Sequence, residues 1–122
     1  EQDMPFMLGY HPAFLLSGNG KEIVRGNDQE ISLSKIMAGG SKAFPVFDCD
    51  EIILLKQNGW DLSIKTTGFG HFMLWTEVNN MLCIEPIIQY PYTGKMNFEE
   101  PMFKKSKGLN SFSVCIRPVK KT

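Results

Sequence analysis

The sequence predicts an all-β fold, an antiparallel β-sandwich. Three observations carry this expectation. Gly (11) and Pro (7) punctuate the 122 residues too often for long helices. Apolar and polar residues alternate with a period of two in several short runs. Asn58-Gly59 joins two of those runs and is the strongest hairpin signal in the chain.

Taken in order, Pro5 to Phe14 is apolar and extended, and Glu22 to Arg25 is a short strand. Glu30 to Ile36 alternates Ile31 and Leu33 against Ser32 and Ser34, which predicts another strand. Glu51 to Lys56 is strongly apolar. Beyond Asn58-Gly59, Trp60 to Thr66 alternates Trp60, Leu62, Ile64 and Thr66 against Asp61, Ser63 and Lys65. Phe69 to Thr76 and Asn80 to Ile88 follow, parted by Glu77-Val78-Asn79. Tyr90 to Leu109 is turn-rich, with room for one short helical turn, and Ser111 to Pro118 closes the set. Gly18-Asn19-Gly20 and Gly39-Gly40 read as turns. Strands apolar on both faces, at Ile52 to Leu55 and Met81 to Ile88, look like a central layer. A single domain of this length has little material to cover such a layer. The expectation is that a partner, a second copy or a missing half covers it.

Lys plus Arg equals Asp plus Glu, 13 each, so the chain carries no net charge. That leaves no electrostatic footprint for nucleic acid or an anionic membrane surface. Lys104, Lys105, Lys107, Lys120 and Lys121, offset by Glu99 and Glu100, read as a solvated face. No apolar run approaches the ~18 residues of a membrane span. The cysteines are Cys49, Cys83 and Cys115, an odd number with no C-x-x-C. Cys83 and Cys115 lie in apolar alternating stretches, like small core residues, which favours a reducing, cytoplasmic setting.

Two polar residues stand in apolar company. In MLCIEPI, Met81, Cys83 and Glu85 share one strand face, and that face is otherwise apolar. Pro86 then forces an extended backbone at Glu85 and is expected to end the ladder. In GYHPAF, Met7, Gly9 and His11 share a face, and Pro12 follows His11. Gly9 leaves bare backbone beside the imidazole, where a ligand could approach. A core histidine and core glutamate bonded to each other or to backbone would explain the pattern. So would a site at which both meet a ligand. With ordinary pKa values near ~4.3 and ~6.5, the pair can supply one base and one acid.

GYHPAF, then Leu74-Trp75, then LCIEP, in that order and spacing, resembles the aldose 1-epimerase (galactose mutarotase-like) family, in particular a branch with G-x-H-P-x-F and C-[IV]-E-P. FDCDEII, Phe47 to Ile53, resembles the same branch. The resemblance implies the C-terminal portion of a β-sandwich roughly twice this length. It implies a cofactor-free isomerase acting on a hexose. His11 would protonate the ring oxygen, and Glu85 would take the proton of the anomeric hydroxyl. Asp50, or Asp48 two residues before it, would accept hydrogen bonds from sugar hydroxyls. Trp75 would stack on the sugar or fill the core. The N-terminal half of such proteins supplies an Arg, and in many members a second His, that this sequence does not place.

The sequence departs from the branch at Ile87, where an aromatic is usual; Tyr90 or Tyr92 are the candidate substitutes. With only Arg25 and Arg117, the chain lacks the arginines that a sugar phosphate would need. His71 reads as an ordinary strand histidine. A metal site built from His11, His71 and a Cys lacks any ligand spacing. Phe69, Phe72, Trp75 and Phe98 read as core rather than as a nucleobase platform. Two alternatives stay open: a non-catalytic carbohydrate-binding sandwich, and a mutarotase fragment that is inactive alone.

Overall fold

A computed structural model describes residues 5–6, 8–56, 58–88, 104–105 and 110–121, with backbone only at 5–6 and 104–105. Tyr90, Tyr92 and Phe98, with Lys107, Glu99 and Glu100, lie outside the described residues, as does most of the stretch 90–109.

The fold is an antiparallel β-sandwich. The strands are β1 (Pro5–Phe6), β2 (Ala13–Leu15), β3 (Ile23–Gly26), β4 (Gln29–Ser32), β5 (Phe44–Val46), β6 (Glu51–Leu55), β7 (Trp60–Thr67), β8 (His71–Trp75), β9 (Met81–Ile87), β10 (Lys104–Lys105) and β11 (Ser113–Lys120). One sheet has the order β11-β7-β6-β3-β4, a second β2-β9-β8-β5, and β1 pairs with β10. Between β2 and β11 the described strands pass repeatedly from one large sheet to the other, so each crossover has to be fixed locally.

Turn chemistry explains several of these connections. β3 and β4 form a two-residue hairpin, with Gly26 opposite Gln29 and Asn27-Asp28 at its tip. Both tip residues have positive φ, 53° and 58°, as a type I′ turn requires. Asn58-Gly59 does join β6 to β7, but in a wider loop, since the last pair is Leu54 with Leu62. Gly59 sits at φ 86°, and Asn58 Oδ1 accepts from the Trp60 N–H at 3.2 Å. Gly68, on the crossover from β7 to β8, has φ 90°, and a Cβ there would lie 2.6 Å from Ser111 O. Only glycine fits that position.

The segment from Glu30 to Ile36 divides. Its first residues pair in β4, and Leu33–Met37 form the short helix α1. Ser32 caps it by accepting from the Lys35 N–H. Ile31, Leu33 and Ile36 are all buried, a spacing that a strand and a helical turn can share. Read as a strand alone, the alternation concealed the cap.

The core lies between the sheets. Val24, Ile31, Ile52, Leu54 and Ile64 on one side meet Val46, Phe72, Leu74, Leu82 and Ile84 on the other, with Leu33 and Ile36 of α1 at one margin. Emptying such a position, as in Ile64→Ala, costs about 2–5 kcal/mol. Two expectations need correction. Cys115 is exposed on β11, opposite exposed Lys65, because the alternation there turns Val114 inward. Pro86 does not end the ladder: β9 runs through it to Ile87. Ile84 and Ile88 donate to Pro12 O and Leu8 O, and Tyr10 donates to Pro86 O. Proline at position 86 therefore forfeits one bond on that side and keeps its acceptor.

Candidate functional site

β9 is buried on both faces, which explains its nearly continuous apolar sequence. Leu82 and Ile84 join the inter-sheet core, whereas Ile87 joins a separate small cluster with Ala43, Met73 and Trp75. The second cluster marks the outer face of the four-stranded sheet. Met81, Cys83 and Glu85 alternate onto that face.

The register brings His11 to Glu85. Ala13 pairs with Cys83, and Gly9 bridges to Ile87. His11, midway between, falls directly opposite Glu85. On the other side Glu85 pairs with Met73 of β8, and Cys83 with Trp75. His11 Nδ1 lies 3.8 Å from Glu85 Oε1. The two side chains differ sharply in exposure, 68% for His11 against 12% for Glu85. Burial pushes the Glu85 carboxyl above its ordinary pKa, and the charge of His11 draws it back only in part. Burial also pushes the Cys83 thiol up, and the Glu85 charge adds to this. That thiol donates to Met81 Sδ at 3.7 Å.

His11 and Glu85 open into a cleft of about 220 Å³ lined also by Ser41, Ala43, Met73 and Trp75. Trp75 is half-buried and fixed by its indole N–H, which donates to Gly40 O at 3.2 Å. The apolar wall and two convergent polar groups are the usual composition of a small-molecule site.

Of the residues singled out from sequence, His11, Glu85 and Trp75 come together. Trp75 packs on Ala43 and Ile87 and keeps an edge on the cleft. Asp48 and Asp50 do not line the cleft. They sit on the crossover from β5 to β6 rather than in a strand. Asp48 has φ 52°, and its N–H donates to His71 Nδ1 at 2.9 Å. Asp50 O accepts from the Thr66 N–H at 2.8 Å. His71 is on the outer face of β8, edge-on to Phe47 at 5.6 Å. Arg25 pairs with Glu30 at 2.7 Å on the other sheet.

Sequence reasoning missed Ser41, Ala43 and Met73 as lining residues. Met73 was findable, since β8 and β9 are consecutive strands and Met73 follows from their register. Ser41 carries no sequence signal. Cys83, read as core, is buried as expected but on the outer face: its thiol, His11 nitrogen and a Glu85 oxygen lie within 4.8 Å of one another.

No family model, curated protein or solved structure gives a significant match to this chain. Among the described residues no helix is long and apolar enough to cross a membrane.

Proposed function

We propose that this chain is an aldose 1-epimerase-like isomerase, or the C-terminal portion of one, which interconverts the α and β anomers of a free hexose. The observation that carries the reading is the convergence of His11 and Glu85, opposite each other on adjacent strands at one cleft. In a cyclic hemiacetal the ring oxygen and the anomeric hydroxyl share one carbon. An acid and a base that act on them must therefore reach neighbouring atoms, and this pair is spaced to do so.

Glu85, as carboxylate, takes the proton of the anomeric hydroxyl while the His11 imidazolium protonates the ring oxygen. The carbon–ring-oxygen bond breaks and the carbonyl forms. The aldehyde rotates, and ring closure returns each proton with the roles reversed, so no proton is gained or lost. A raised pKa makes the Glu85 carboxylate a stronger base than a solvated one. Trp75 and Met73 offer an apolar surface for the C–H face of a sugar. Neither of the two arginines, Arg25 and Arg117, lines the cleft, which favours a free sugar over its phosphate. The unpaired cysteines suit a cytoplasmic location.

The test is NMR anomer exchange on a panel of free hexoses, with this chain and with any longer chain that contains it. Faster exchange that disappears in a folded Glu85→Gln variant is expected. Sugar resonances that shift without faster exchange would replace the enzyme by a carbohydrate-binding sandwich. Neither effect in either chain would overturn the reading.

A further inference from the structure

The outer face of β9 buries a thiol and a carboxylate side by side. Cys83 is 2% exposed and Glu85 9%. Among the described residues, the only side chain set against them that can carry positive charge is His11. Placing two potential anions together in apolar surroundings is costly without a cation. Each group is also a metal ligand, and the three are of different type: imidazole nitrogen, thiolate sulfur and carboxylate oxygen.

We propose that His11, Cys83 and Glu85 form a binding site for a divalent cation of the zinc class, with the fourth position open towards the cleft. The mixed N, S, O donor set suits Zn²⁺ or Co²⁺ and not a hard cation such as Mg²⁺ or Ca²⁺. Zinc bonds of about 2.0–2.3 Å in tetrahedral geometry place ligand atoms roughly 3.3–3.8 Å apart. His11 Nδ1 and Glu85 Oε1 already stand at 3.8 Å. All three ligand atoms lie within 4.8 Å, so closing the set needs a movement of only about 1 Å to reach those tetrahedral separations. His11 is the exposed member of the set. Cys83 and Glu85 are anchored two apart on one strand in the most buried part of the sheet. Ala43, Met73 and Trp75 form an apolar wall beside the site.

Binding would release the Cys83 thiol proton to solvent as the metal–sulfur bond forms. It would also withdraw both groups that the mutarotase reading assigns to proton transfer. The cation would then act as an inhibitor of that reaction. The site itself does not depend on the sugar reading.

The experiment is a titration of the chelator-treated, reduced chain with Co²⁺, followed by absorption spectroscopy. A thiolate-to-cobalt charge-transfer band with intense visible bands of a tetrahedral ion is expected, displaced by Zn²⁺. Cys83→Ser should remove the charge-transfer band, and Cys115→Ser should leave it unchanged. His11→Ala alters an exposed side chain and keeps the fold; it should retain the band but weaken binding about tenfold or more. No charge-transfer band in the parent chain, a band that survives Cys83→Ser, or equal affinity in His11→Ala would overturn the proposal. The readout is spectral, so a failed sugar assay leaves it intact.

Discussion

Glu22 and Glu85 are both buried, 2% and 9% exposed, yet the fold treats them in opposite ways. Glu22 stands at the end of the crossover from β2 to β3. Its Oε1 accepts from the Ser17 N–H at 2.7 Å. Burial pushes its pKa up, but hydrogen bonds from Ser17 and its own backbone, with the charge of Lys56, outweigh this and hold it below the ordinary value. Its Oε2 has no hydrogen-bond partner among the described residues, so the satisfaction is incomplete. Glu85 has burial without that compensation. Its described partner is His11 at 3.8 Å, beyond hydrogen-bond length, and its pKa is raised. A carboxylate that ties two chain segments together is structural. One that is buried, under-bonded and open to a cleft is available for chemistry.

The largest effect that sharpens this contrast is on activity. Glu85→Gln should lower anomer exchange by about 10²–10⁴-fold, the usual contribution of a positioned base. Glu22→Gln should leave the rate per folded molecule unchanged. Comparable losses in both variants would erase the distinction.

Stability should run the other way. Glu22→Ala removes the charged acceptor of the part-buried Ser17 N–H bond and should cost about 1.5–3 kcal/mol in urea unfolding. Glu85→Gln should be neutral or stabilising at neutral pH, because it removes a buried charge whose described partner stands beyond hydrogen-bond length.

The two residues should also give opposite pH dependences, measured as thermal midpoints in chelator. Glu22 is lowered in the fold, so its contribution is present above the unfolded pKa and is lost as pH falls through the folded value. Glu85 is raised, so its contribution is present below the unfolded pKa and is lost as pH rises through the folded value. The gain in Glu85→Gln over the parent should therefore grow with pH across that window and vanish in acid. The smallest effect is His11→Gln. Its exposed ring predicts a stability change within about 0.5 kcal/mol, alongside a large loss of exchange. A substantial destabilisation would make His11 a structural partner of Glu85 instead.

The same contrast explains what the sequence revealed. β7 and β11 are long and alternate, β6, β8 and β9 are nearly continuous apolar runs, and all are bounded by turn residues, so they were legible. β5 is three residues, Phe44-Pro45-Val46, too short for periodicity to register. The Asn27-Asp28 hairpin was overlooked because its second residue is not glycine, although both take positive φ. His11 and Glu85 stood out because each breaks an apolar strand and precedes proline. Glu22 did not, since charged residues at strand starts are common and its burial depends on how the β2–β3 crossover folds back. Asp48 and Asp50, to which only the family resemblance pointed, lie on the β5–β6 crossover and do not line the cleft. Cys83 was assigned to the correct face, but only the cross-strand register shows that His11 arrives beside it.

The most direct measurement is carbon-13 NMR titration of the side-chain carboxyls of Glu22 and Glu85 in one metal-free sample. The account predicts that Glu85 titrates above, and Glu22 below, the ordinary glutamate value. Coincident titrations, or the reverse order, would contradict the claim that one carboxylate is held for structure and the other kept ready for proton transfer.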